Sequence, residues 1–474
     1  MTAYWLERAF VDGAVRDDVR VDIDAGRFTK IKVGAALGDA DRLAGLTIPG
    51  LANCHSHAFH RALRGRTQRE RGTFWSWRAQ MYDVAARLDP DTYYALAMAT
   101  YREMLVGGIT TVGEFHYLHH GPDGTPYDDP NAMGHALVQA AQDAGIRIVL
   151  LDSCYLAAGL AAGRRQQPEG VQRRFSDRTA DAWADRVDTL RRGVTDRSTR
   201  RQNSHIGDPS VGGDPSVGGD PWVGGDLSVG VGGAVHSVRA VPRDQIPIVA
   251  AWATEHLAPL HVHLSEQAAE NDECLAVHGV TPTELLVEAG VLGERTTAVH
   301  ATHLTDRDIT LLGGSSTYAC FCPTTERDLG DGIGESRRLA EAGSTLTLGS
   351  DSHAVLDVFE EMRAVELDER LATLERGHWS AADLLAAATH DGHRSLGLGH
   401  TGRIAVGHQA DLVTLDTMSP RTAGTGADEF TAVFAATAAD VVHVVRDGRV
   451  VATHEDRRRI GEELDAAIAR VWEG

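Results

Sequence analysis

His55 and His57 stand two residues apart in Pro49-Gly50-Leu51-Ala52-Asn53-Cys54-His55-Ser56-His57, just after an apolar run containing Leu46 and Ile48. That run reads as a strand, and in extended backbone the side chains at i and i+2 point the same way. Both imidazoles can then grip one metal ion from a single strand end. Two packed histidines would give the same spacing. What singles this pair out is that further strand-like segments also end in metal-type or acid–base residues. His263 closes Leu260-His261-Val262-His263-Leu264, and Asp351 follows Thr347-Leu348-Gly349-Ser350. Three imidazoles and one carboxylate leave a position open for water, as a catalytic zinc site requires. Zinc brings the pKa of such a water to about 7. Asp351 is expected to serve both as ligand and as a catalytic carboxylate. Glu266, three residues past His263, can reach the water without ligating, which suits a proton shuttle. His300, closing Thr297-Ala298-Val299-His300, can polarise the substrate's electrophilic centre. A buried structural histidine is the bland alternative, outweighed by the four other polar residues at strand ends.

Such residues need a frame that brings many strand ends together. Eight short apolar segments lie between residues 46 and 353: Leu46–Leu51, Ile109–Glu114, Ile146–Asp152, Val229–His236, Leu260–Leu264, Thr296–His300, Ser316–Phe321 and Ser344–Gly349. Helix-like stretches such as Pro90–Val106, Asn131–Ala144 and Pro282–Ala289 fall between them. Alternation implies a parallel sheet, and eight repeats imply an α/β fold of the (β/α)8 TIM-barrel type. Two long insertions follow strands, Ala58–Leu88 and Cys154–Gly230, and the first is expected to help build the site. At the chain ends, Trp5–Val33, Gly402–Asp416 and Ala439–Thr453 read as short strands with turns at Asp12-Gly13, Ala25-Gly26 and Asp447-Gly448. The expected division is a small β-sandwich from 1–47 plus 400–455, a barrel over 48–399, and a C-terminal helix over 456–474. That last segment, with its mixed charge, reads as a solvated surface helix. A glycine-rich seven-residue unit, first seen as Gly207-Asp208-Pro209-Ser210-Val211-Gly212-Gly213, recurs imperfectly through Gly233. Its Gly and Pro content favours a flexible excursion, and its spaced aspartates offer too few ligands for calcium.

Composition narrows the partners. A 42% apolar fraction in 474 residues supports a sizeable core. The net charge of −21 argues against nucleic acid or an anionic membrane surface as partner. A local arginine pocket can still bind an anionic small molecule. No apolar run approaches membrane-spanning length and no leader is evident at Met1–Phe10, so a cytoplasmic location is expected. Five scattered cysteines (54, 154, 274, 320, 322) suit reduced thiols, with Cys320 and Cys322 read as packing residues. The only lysines are Lys30 and Lys32.

The strand-end residues, in this order, resemble the amidohydrolase superfamily and its mononuclear aminohydrolases. Further motifs are similar to the formimidoylglutamate deiminases: His57-Ala58-Phe59-His60-Arg61-Ala62, Thr73-Phe74-Trp75-Ser76-Trp77-Arg78 with Met81-Tyr82, Glu114-Phe115-His116-Tyr117, His236-Ser237-Val238-Arg239-Ala240-Val241, and Cys322-Pro323-Thr324-Thr325-Glu326 before Leu329-Gly330-Asp331-Gly332. The resemblance implies hydrolysis of N-formimidoyl-L-glutamate to N-formyl-L-glutamate and ammonia, in histidine degradation. It carries substrate binding onto His60, Arg78, Tyr117, His236 and Arg239. In such barrels a second metal is commonly bridged by a carboxylated lysine at the end of the fourth strand. His236 stands there instead, so one divalent ion is expected, zinc foremost, with Fe2+ or Mn2+ accepted by the same ligands. Arg78 and Arg239 suit the substrate's two carboxylates through bidentate, charge-assisted hydrogen bonds. The expected assembly is a homodimer. Competing readings are a zinc deaminase of guanine, an adenosine-type nucleoside or a triazine, and a barrel without catalysis.

Overall fold

The structure is a computed structural model describing residues 2–69, 71–160, 166–205 and 228–473, by backbone alone over 195–205. The chain begins as a meander of strands β1 (Thr2–Val11), β2 (Ala14–Asp24) and β3 (Arg27–Lys32). Asp12 and Gly13, like Ala25 and Gly26, both have positive φ, the requirement of a two-residue hairpin whose twist matches its strands. Strand β4 (Asp41–Pro49) then runs parallel beside β1.

The barrel follows as β5 (Leu51–Ser56), β6 (Ile109–His116), β7 (Arg147–Cys154), β8 (Val229–Val235), β9 (Leu260–Leu264), β10 (Thr296–His300), β11 (Tyr318–Phe321) and β12 (Leu346–Leu348). Each strand pairs in parallel with the next, and a parallel bridge between Ser56 and Asp351 closes the ring. Almost every strand residue is buried on both faces, which is why the segments read as unbroken apolar runs rather than alternations. After the barrel, β13 (Leu412–Leu415), β14 (Val441–Arg446) and β15 (Arg449–Thr453) return to the amino-terminal strands. They complete one seven-stranded sheet in the order β15-β14-β13-β4-β1-β2-β3. Both chain ends thus build a single sheet, whose core packs Tyr4, Leu6, Val21, Phe28, Leu43 and Leu412.

Three expectations are corrected. The first barrel strand is Leu51–Ser56, whereas Leu46–Pro49 belongs to the terminal sheet as part of β4. Gly50 makes the crossing: a Cβ there would lie 2.4 Å from Thr110 Oγ1 and 2.8 Å from the Asp411 Cβ. The repeat and the fourth expected strand overlapped over Val229–Gly233, and the strand reading holds there: these residues are barrel strand β8, so the flexible excursion does not extend to Gly233. A side chain at Gly233 would meet Trp252 at 3.1 Å and Trp183 at 3.2 Å, so glycine lets both indoles pack on the strand. The repeat's residues 207–227 lie outside the described residues. Finally, the C-terminal helix Arg457–Glu473 is docked rather than solvated. Ile460, Leu464, Ala467 and Val471 are buried at helical spacing, Arg102 pairs with Glu463 at 2.7 Å, and Trp472 Nε1 donates to the Ala62 carbonyl.

The helices Pro90–Val106, Ala132–Ala144 and Pro282–Glu288 lie within a residue or so of their expected bounds. Cys54, Cys320 and Cys322 pack with Ala52 and Val299, as packing residues should. Two buried arginines tie elements together. Arg147 on β7 reaches Asp411 and Asp447 of the terminal sheet, and Arg186 reaches Asp152 and Asp177. Among the described residues, no helix is long and apolar enough to cross a membrane.

Candidate metal centre and substrate pocket

The parallel strands deliver their exits to one end of the barrel, and the residues singled out by spacing meet there. His55 is the penultimate residue of β5, His57 follows it, His263 is on β9, and Asp351 leaves β12. One ligand atom from each lies within 4.8 Å of all the others. His55 Nε2 is 3.0 Å from His263 Nε2 and 3.4 Å from Asp351 Oδ1, and His57 Nε2 is 3.2 Å from the same carboxylate oxygen.

The surroundings fix which nitrogens face inward. His57 Nδ1–H donates to the Phe115 carbonyl at 2.8 Å, and His263 Nδ1–H donates to the His236 carbonyl at 2.9 Å. Each neutral ring then presents its Nε2 lone pair to the centre, the arrangement that metal-ligating histidines adopt. Burial holds His55 down to about 4 and His263 well below the usual imidazole range, which keeps these two rings uncharged. Burial alone would raise the Asp351 carboxyl, but hydrogen bonds with His55 and His57 and the charge of His300 hold it far below. Two imidazole nitrogens at 3.0 Å beside an ionised carboxylate fit a divalent cation, and the donor set of three nitrogens and one oxygen fits zinc.

Above this quartet opens a cavity of about 260 Å3. His57, His60, Arg78, Tyr117, His236, Arg239, His263, Glu266, His300 and Asp351 all line it, while His55 lies beneath, wholly buried. His300 Nε2 is 3.9 Å from both Glu266 Oε1 and Asp351 Oδ2. Burial would lower its pKa, but Glu266, Glu326 and Asp351 raise it well above the usual range, so the ring is charged. His60 Nε2 lies 2.8 Å from the Tyr117 hydroxyl, and the His236 ring sits edge-on to Tyr155.

The two arginines are not equivalent. Arg239 is nearly buried, 2.9 Å from the fully buried Glu270 and 3.6 Å from Glu266. Arg78, on the helix Phe74–Arg87, lies over the faces of Trp75 and Tyr82 and pairs with no carboxylate among the described residues.

Several residues of the site and its surroundings escaped the sequence. Glu326, in the motif after β11, faces His300 Nδ1 at 3.3 Å, and Glu270 anchors Arg239. Tyr155, Gln166 and Phe175 come from the second long insertion, so both insertions build the pocket. A second cluster, His116, His119 and Asp152, also brings potential ligands close. Its carboxylate is already held by two nitrogens of Arg186 and by Trp183 Nε1, which makes it a buried ion-pair network instead.

Residues 46–451 match the family model described as the amidohydrolase family. A formimidoylglutamate deiminase of Pseudomonas aeruginosa is 35% identical, over 98% of this chain and 97% of that protein. A 5-methylthioadenosine/S-adenosylhomocysteine deaminase of Syntrophobacter fumaroxidans is 27% identical, over 92% of this chain and 90% of that protein. Among solved structures, an amidohydrolase from Brucella melitensis superposes with a TM-score of 0.85 at 28% identity, covering 100% of both chains. An adenosine deaminase from Xanthomonas campestris with bound zinc shares the fold, with a TM-score of 0.79 at 21% identity, covering 100% of this chain and 99% of that one.

Proposed function

The chain belongs to the amidohydrolase family, and from that premise we propose that it hydrolyses N-formimidoyl-L-glutamate to N-formyl-L-glutamate and ammonia. One observation carries the substrate: two guanidiniums, Arg78 and Arg239, line the same cavity as the histidine–aspartate quartet. A dicarboxylate with an amidine head needs cations along the wall and hydrolytic chemistry at the floor. The 35% identity to a deiminase of that name over nearly the whole chain agrees.

His55, His57, His263 and Asp351 would hold one zinc ion, which supplies Lewis acidity and activates a water. The protein's own groups do the rest. Glu266 takes the two protons of the attacking water in turn and passes both to the departing nitrogen, so that C=NH becomes C=O and ammonia leaves. His300, held charged by the carboxylates around it, stabilises negative charge developing at the former amidine carbon's new oxygen. Arg78 and Arg239 bind the carboxylates, with His60, Tyr117 and His236 completing the wall.

A second reading, deamination of an adenosine-type ring, is favoured by the aromatic lining of Phe74, Trp75, Trp77, Tyr117, Tyr155 and Phe175. Against it, the faces of Trp75 and Tyr82 carry the Arg78 guanidinium rather than standing open. A non-catalytic barrel would have no need of an intact quartet beside Glu266. Ammonia release measured on formimidoylglutamate, guanine, adenosine and 5′-methylthioadenosine separates these readings, with activity expected on the first alone. Turnover of a purine with none of formimidoylglutamate overturns the proposal. Five buried cysteines, none of them in a disulfide among the described residues, support placing the enzyme in the cytoplasm. Exposed Leu367 and Leu371 on the helix Val358–Thr373, with Leu374 just past its end, support a homodimer, which sedimentation would test.

A further inference from the structure

Strand β6 lies beside β5, and its residue Glu114 is wholly buried next to the segment bearing His55 and His57. The Glu114 carboxyl grips that segment on both flanks of His57. Oε2 accepts the Ser56 hydroxyl at 2.8 Å, and Oε1 accepts the Ala58 backbone N–H at 2.7 Å. The next residue on the strand, Phe115, takes the His57 ring through its carbonyl. Ser56 has one proton, and with that proton on Glu114 the 2.9 Å approach of His353 Nε2 must be an N–H donating to Ser56 Oγ. His353 lies two residues beyond Asp351, on the turn leaving β12. A continuous chain therefore runs from His353 through Ser56 to Glu114 and on to Ala58. It joins the exits of β12, β5 and β6, and the first two carry three of the four candidate ligands.

Glu114 does not line the cavity and is not one of the clustered ligand atoms, so neither substrate binding nor ligation accounts for it. A buried carboxyl is costly unless hydrogen-bonded, and this one directs its bonds to the residues on either side of His57. We infer that Glu114, through Ser56 and Ala58, is a positioning residue of the metal centre: it fixes His55 and His57 relative to each other and to Asp351. This inference rests on reading the quartet as a metal site and is independent of the substrate. Partners that orient metal ligands from outside typically change metal affinity by about 10- to 100-fold when removed.

The test measures zinc affinity, by competition with a chromogenic chelator, for the full-length wild type, Glu114→Gln and Ser56→Ala, with thermal midpoints of the metal-free proteins. Glu114→Gln keeps the volume but leaves an amide that cannot accept both hydrogen bonds. Ser56→Ala breaks the same chain by removing only a hydroxyl. Each is expected to weaken zinc binding by at least about tenfold. The double variant should be little worse than the weaker-binding single one, because both cut one chain. Zinc affinity within about twofold of wild type in both single variants overturns the inference, even if their metal-free midpoints fall, since that pattern marks a merely structural role. Should Glu114→Gln not fold, Ser56→Ala decides alone. A wild type that binds no zinc overturns the metal reading and this inference with it. A wild type that binds zinc, with variants that bind equally well, overturns only the inference.

Discussion

Substituting the two pocket arginines by methionine should give unequal results, and the inequality follows from what each one touches. Arg78 packs on Trp75 and Tyr82 with its guanidinium 4.6 Å from the first ring and 5.5 Å from the second. Arg78→Met thus strands no buried charge and forfeits cation–π attraction of about 0.5–1 kcal/mol. Its loss of substrate binding is larger. Charge-assisted hydrogen bonds contribute about 1.5–3 kcal/mol, and about 1.4 kcal/mol is a factor of ten, so kcat/KM should drop roughly 10- to 150-fold. Arg239→Met removes the same kind of contact but also leaves Glu270, whose side chain is fully buried, without its cation 2.9 Å away. Breaking a buried pair from one side costs about 3–5 kcal/mol, so this variant should be visibly destabilised. It also releases Glu266, now 3.6 Å from Arg239, and kcat should change along with KM. The assay is kcat and KM on formimidoylglutamate and on its neutral diamide analogue, with urea unfolding of each variant. Arg78→Met should lose most of the preference for the charged substrate at nearly wild-type stability. Unchanged preference in both variants would refute carboxylate binding, and equal stability of the two would refute the asymmetry.

The remaining expectations are compact. Glu266→Gln should lower turnover by about 10²–10⁴-fold while retaining its metal, and near-normal turnover would remove Glu266 as the shuttle. Stripping metal with a chelator should abolish activity and lower the thermal midpoint, with zinc restoring both at about one equivalent per chain; full activity requiring two equivalents would contradict a single-ion site. Burial would raise the Asp152 pKa, but Arg186 holds it below the usual carboxylate range. A carboxylate so depressed stabilises the fold above its unfolded pKa of about 3.9, and that stability is lost as pH falls through the folded value. Asp152→Asn should therefore cost stability at pH 7 and progressively less below about pH 4. A cost that stays flat down to pH 3 would count against the pair.

The chemistry of the centre was legible in the chain because metal ligands at strand ends carry local signals. The His55–His57 spacing, the apolar runs ending in His263 and His300, and Asp351 after the last strand need only the two-residue period of extended backbone to be read. The hairpin turns were legible for a similar reason, since Asp12-Gly13, Ala25-Gly26 and Asp447-Gly448 meet a conformational demand within two residues. The boundary between β4 and β5 was not. Leu46 to Ala52 is apolar but for Thr47, and only the approach of Thr110 and Asp411 to Gly50 shows where one sheet ends and the other begins.

Charge partnerships were decided by tertiary structure alone. Sequence treated Arg78 and Arg239 alike, because a residue type carries no record of what lies beside it in space. Folding set Arg239 against Glu270 and Glu266 and left Arg78 on aromatic faces, and that contact alone separates a clean binding variant from a destabilising one. The same holds for the C-terminal helix, whose apolar stripe became meaningful only once Pro90–Val106 stood opposite it. Glu114 makes the point at the metal centre. Sequence places it 57 residues from His57, and the parallel pairing of β5 with β6 brings its carboxyl to the backbone on either side of that histidine. Local periodicity specifies which atoms can bind and react; long-range strand pairing specifies which of them are held, neutralised or left free.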